Sequence, residues 1–157
     1  MTKFTTVRSL LSALANAMNL INPDMENHHQ ETAYTRLILM DIEGFEEIAD
    51  WAGFHHEKLN GRGYPFHFDS GFLSLGSRIM TVADIFSAIT EERPYRKPMS
   101  REQAMKVMWE NVERGEICRD IVQLLEDNYD AVNDARKKKS QEAGARYFAT
   151  HQTERTE

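Results

Sequence analysis

The stretch His55-His56-Glu57-Lys58-Leu59-Asn60-Gly61-Arg62-Gly63-Tyr64-Pro65 sets chemistry and geometry side by side. Two adjacent imidazoles and a carboxylate are groups that can ligate metals, and the glycines behind them let backbone approach a charged ligand closely. Pro65 restricts Tyr64 to extended conformations, so the tyrosine is held stiffly. Asn60-Gly61 is a turn signal, and with Gly63, Pro65 and Gly71 it makes 58–74 an ordered loop between two helices. Upstream, Phe45, Ile48, Ala49 and Phe54 predict a short helix that delivers His55 and His56 at its exit. Downstream, Leu75, Ile79, Val82, Phe86 and Ile89 repeat at helical spacing and predict the clearest core helix. Asp84 lies off that stripe, close in angle to Met80 and Ser87, on a flank able to face a cavity.

The same period recurs outward in both directions. Val7, Leu10, Leu11, Leu14 and Met18 predict an amphipathic helix over 7–20, and Asn22-Pro23 ends it at a corner that delivers His28 near the start of a second helix. That helix spans about 26–40 with Ala33, Leu37, Ile38 and Met40, and Gly44 interrupts it. Ser100-Arg101-Glu102-Gln103 reads as a capping box opening a helix whose Ala104, Val107 and Met108 face inward. Ile121, Leu124, Leu125, Tyr129 and Val132 mark a last core helix. No segment alternates convincingly with period two and no repeat is visible, so the expected fold is all-α. Residues 1–135 form one expected domain, followed by a basic and then polar tail over 136–157. The cations Arg136, Lys137, Lys138 and Lys139 suit a helix C-terminus. Met80, Met99, Met105 and Met108 read as core filler.

A chain of 157 residues can bury a sizeable core, and 41% hydrophobic with 28% charged residues describes a globular domain. A net charge of −6 opposes binding of a nucleic-acid polymer, so contact with an anionic nucleotide needs a local cationic patch. Arg93, Arg96 and Lys97 can form one, with guanidinium forks matching phosphate oxygens. The single cysteine, Cys118, closes no internal disulfide and reads as a small, partly buried thiol. No apolar run reaches the roughly 20 residues of a membrane span, which makes the cytoplasm the default location.

The string from His55 to Pro65 resembles the signature of the HD-GYP family, metal-dependent phosphodiesterases that open cyclic di-GMP. Val82-Ala83-Asp84-Ile85-Phe86-Ser87-Ala88-Ile89-Thr90 and Arg93-Pro94-Tyr95-Arg96-Lys97 fall where the family carries its next metal aspartate and its basic substrate contacts. His28-His29-Gln30 matches the position of the family's first histidine. The resemblance covers about 7–35 and 41–135 and implies an HD-domain-like helical bundle. It assigns His28, His55, His56 and Asp84 as ligands of a divalent metal (iron, manganese or zinc), with Asp24 a further candidate, and gives Arg93 and Arg96 the substrate phosphate. Glu57, Gly61, Gly63, Tyr64 and Pro65 become a motif loop for loop structure and partner contact.

The departure from the family is equally specific. Members carry a His-Asp dipeptide, a nearby lysine and a further histidine ahead of the His-His-Glu string, whereas no His-Asp dipeptide occurs here. The bundle is therefore shortened near 35–41, and its metal centre lacks the carboxylate suited to bridging two cations. No residue is assigned a catalytic role. The expectation is a cyclic di-GMP phosphodiesterase homologue, degenerate in catalysis. The alternative is a noncatalytic signalling module that senses a cyclic dinucleotide or docks a protein through the Gly-Tyr-Pro loop. Removing a central segment also exposes helix faces, which a homodimer could cover.

Overall fold

The computed structural model describes residues 28–92 and 96–153, with side chains over 32–92 and 96–142. The helix expected over 7–20, the 22–24 corner, Asp24 and Arg93 lie outside the described residues, as does the side chain of His28. Among the described residues the order is α1 (His28–Met40), α2 (Glu46–Phe54), α3 (Leu75–Thr90), α4 (Arg101–Glu113), α5 (Arg119–Asp127) and α6 (Tyr129–Thr153). No strand is present among them, and an isolated antiparallel bridge joins Asn60 to Asp69 within the loop. The all-helical expectation holds, as does the irregular stretch between α2 and α3. No described helix is long and apolar enough to cross a membrane.

Helices α1 to α5 belong to one compact unit and α6 to another. Within the first, α1 packs on α2, α2 on α3, and α3 on both α4 and α5. Met80, Val82, Phe86 and Ile89 of α3 meet a core that includes Ala49, Phe54, Met108 and Val122, all buried. Ser74 caps α3 by accepting the N–H of Ser77 at 3.2 Å. Leu75 is exposed because it opens the first turn, and Leu73, just ahead of the cap, takes the buried place instead. Gly76 lets α3 approach α2, since a Cβ there would overlap the indole of Trp51. The capping box of α4 forms in full: the Ser100 hydroxyl accepts the N–H of Gln103 and the Gln103 side chain accepts the N–H of Ser100. Trp109 ties α4 to α5 by donating to the Glu126 carboxylate at 3.0 Å.

Two expectations change at the C-terminal side. The expected last core helix is two helices, because α5 stops at Asp127 and the N–H of Val132 starts a new ladder on the carbonyl of Asn128. A one-residue break hardly disturbs a 3.6 period, so the apolar spacing runs across it unmarked, and Leu124 comes out exposed while Leu125 is buried. Helix also continues through the expected tail. Arg136 to Lys139 sit inside α6 rather than at its end.

Candidate functional site

The loop between α2 and α3 is organised around Glu57. This residue is fully buried, and its carboxylate accepts the backbone N–H groups of Phe66 (2.6 Å), His67 (3.1 Å) and Phe68 (3.1 Å). Buried charge is tolerated only when hydrogen bonds satisfy it, and three donors converge here. The ring seals itself at Gly63, where a Cβ would overlap the backbone of Glu57 and Lys58. The N–H of Tyr64 returns to the carbonyl of His56 at 3.2 Å, and the Tyr64–Pro65 peptide is cis. Phe66 and Phe68 then close edge-on against Phe54 at 5.7 and 5.2 Å between centroids, so the aromatic end of α2 holds the loop.

The histidines emerge from the end of α2 as expected. His55 is buried and its Nδ1 lies 2.6 Å from the carbonyl of Ala52, one turn back. A proton on Nδ1 for that bond puts the other face of the ring in the acceptor tautomer. His56 reaches across to α3, with Nδ1 3.6 Å from the Asp84 carboxylate. The rings of His55 and His56 lie 4.0 Å apart, and Tyr64 tilts against His56 at 4.8 Å. Burial, and after it the negative charge of Asp84, push the Tyr64 phenol above its usual range, so it stays a hydrogen-bond donor at neutral pH. His56, Tyr64 and Asp84 thus form one cluster at the α2–α3 crossing. Arg96 is exposed and gives a guanidinium N–H to the carbonyl of Ala88, one helical turn beyond Asp84.

A second network fixes the loop from the opposite side. Lys58 pairs with Glu116 at 2.8 Å, Arg114 donates to the same carboxylate at 3.1 Å, and the N–H of Leu59 donates to the Glu116 carbonyl at 2.9 Å. Burial raises the Glu116 carboxyl, but the bonds and charges of Lys58 and Arg114 outweigh it and hold the group below its ordinary value. A depressed folded-state value stabilises the fold above the ordinary carboxylate range, and this is lost as pH falls through the folded value. Glu116→Gln is expected to lower stability by about 1–2 kcal/mol at neutral pH and to flatten the acid limb of the melting temperature against pH. Thermal melts followed by circular dichroism from neutral to acid pH check this; parallel curves for the two proteins count against it.

A protein-family model described as HD domain matches residues 7–120. The chain belongs to the HD-domain family. It is 48% identical over 80 residues to a 3'3'-cGAMP-specific phosphodiesterase of Vibrio cholerae serotype O1, a stretch covering 51% of this chain and 17% of that protein. Another 3'3'-cGAMP-specific phosphodiesterase of that organism is 35% identical over 104 residues, covering 66% and 23%. A cyclic di-GMP phosphodiesterase of Pseudomonas aeruginosa is 38% identical over 63 residues, covering 40% and 15%. The chain thus spans less than a quarter of the length of these relatives, and the HD-GYP resemblance of its motif is borne out by homology.

Against this HD-domain frame, the expected ligands divide. His56 and Asp84 come together, and His55 lies beside them with one nitrogen on the Ala52 carbonyl. Among the described residues, however, no three His, Cys, Asp or Glu side chains are placed to hold one ion. A divalent transition metal in a protein site takes at least three protein ligands as a rule, and the side chain of His28, the remaining expected ligand, lies outside the described residues. Glu57, a motif-loop residue by the family resemblance, spends both of its oxygens on the loop backbone. Glu116 escaped the sequence reading because its partner lies 58 residues away and no local spacing marks the pair.

Proposed function

We propose that this chain is a degenerate HD-GYP-like phosphodiesterase domain that senses a cyclic dinucleotide without hydrolysing it at a useful rate. The observation that carries this reading is the absence of the His-Asp dipeptide, the family's source of a bridging carboxylate, from a chain that still brings His56 and Asp84 to 3.6 Å. The loop that the family motif specifies is fully built around Glu57, which supports a retained scaffold. In this reading His28, His55, His56 and Asp84 are the remnant of the metal site, and Arg93 with Arg96 takes the phosphate. Arg96 supports that role because it is exposed and anchored one turn beyond Asp84 on α3. Names of the matched relatives point to cyclic di-GMP and 3'3'-cGAMP as ligands. The reading places the chain in the cytoplasm, as part of a signalling protein.

Isothermal titration of the full chain with each dinucleotide tests the proposal. Saturable micromolar binding is expected, weakened about tenfold or more by Arg96→Ala and by Arg93→Ala, since each removes a charge-assisted contact to phosphate. Blank titrations with both dinucleotides, or affinity indifferent to both arginines, would refute the sensor.

A further inference from the structure

Helix α1 is turned against its own amphipathy. Thr32 is buried and Ala33, Thr35 and Arg36 are half-buried, while Tyr34, Leu37 and Ile38 are 60%, 57% and 67% exposed. These three stand at i, i+3 and i+4 on one stripe. Met40 at the end of α1, and Ile42 and Phe45 in the turn that leads to α2, are exposed as well. Single exposed apolar residues are ordinary, but several on one helical stripe and the turn beside it mark an interaction site.

Charge around the stripe indicates what covers it. Asp41, Glu43, Glu46 and Glu47 are all exposed at the same corner. Arg36 is the sole basic residue between 32 and 50, and it is half-buried and paired with Asp50 at 2.9 Å. Its guanidinium also lies over the Phe54 ring at 5.1 Å, which turns it toward α2 and away from the stripe. An apolar strip with an acidic margin is complementary to an amphipathic helix with a basic margin. A second copy presenting the same face would set four carboxylates against four across a two-fold axis, and like charges so juxtaposed disfavour that pairing.

We propose that the α1–α2 corner docks a basic amphipathic helix of a protein partner, with Leu37 and Ile38 as the central apolar contacts and the acidic margin setting its polarity. This goes beyond the sensor reading and uses none of the residues assigned to it, so each can fail without the other.

The probe is a fluorescein-labelled peptide of about 18 residues, long enough for five helical turns, with leucines at i, i+3, i+4 and i+7 and lysines flanking them. Its control carries the same leucines flanked by glutamates. With the full chain, anisotropy is expected to give micromolar binding of the lysine peptide and at least about tenfold weaker binding of the control. The double variant Leu37→Asp, Ile38→Asp should abolish binding with an unchanged helical circular dichroism spectrum. The triple variant Glu43→Lys, Glu46→Lys, Glu47→Lys should reverse the preference toward the glutamate peptide. Equal binding of the two peptides, no binding of either, or a preference that survives the charge reversal overturns the proposal. So does a dimer in sedimentation velocity that the Asp double variant dissolves, because the occupant is then a second copy.

Discussion

Replacing Glu57 with alanine is expected to lower the unfolding free energy by roughly 3–5 kcal/mol and to release the loop between α2 and α3. The magnitude follows from what is left behind. Three backbone N–H groups, those of Phe66, His67 and Phe68, converge on a carboxylate that has no solvent exposure. Deleting it leaves three part-buried donors without their acceptor, each with a penalty of up to about 1–3 kcal/mol to the extent that water cannot replace the carboxylate. Glutamine separates charge from shape. It can accept two of the N–H groups through its oxygen, but its amide nitrogen would meet the third donor with a donor. Glu57→Gln should therefore fall between wild type and Glu57→Ala. Urea unfolding gives the free energies, and amide hydrogen exchange at residues 66, 67 and 68 reports the loop itself. Unchanged midpoints together with unchanged protection at those three amides would show that the carboxylate does not organise the loop.

That effect also explains what the sequence made legible. Helix positions could be read because a 3.6-residue apolar period is local: α3, with Met80, Val82, Phe86 and Ile89 buried, is where spacing and packing agree. The loop could be placed from Asn60-Gly61 and Pro65, and the capping box of α4 from Ser100 and Gln103, since turn and cap chemistry are local as well. Direction of burial was less legible. Leu37 and Ile38 look like core residues in sequence but are exposed, because which side of a helix finds a partner depends on elements far along the chain. Site chemistry divides the same way. His56 and Asp84, assigned to one site by resemblance to a family, lie 3.6 Å apart across 28 positions, whereas the three bonds to Glu57 and the pair Lys58–Glu116 depend on tertiary placement that no spacing encodes.

Hydrolysis of cyclic di-GMP or 3'3'-cGAMP by the full chain, with manganese or iron added, is expected to be at least about 100-fold slower than by the Vibrio cholerae phosphodiesterase that shares 48% identity with it. Phosphodiester hydrolysis at neutral pH needs a generated hydroxide and stabilisation of charge in the transition state, and groups that act there cannot be replaced by residual ground-state binding. Here His56 and Asp84 come together, but no His-Asp dipeptide supplies a bridging carboxylate. Tyr64 does not fill the gap: burial and the Asp84 charge keep its phenol protonated, a donor able to orient a phosphate oxygen but not a base able to activate water. The prediction therefore joins two measurements. Metal analysis of the purified chain should find well under one tightly held transition-metal ion per molecule, and product formation should not exceed that of His56→Ala and Asp84→Asn. A robust rate that those two variants abolish would mean that His56 and Asp84 still serve a complete catalytic centre, and the sensor reading would give way to an enzyme.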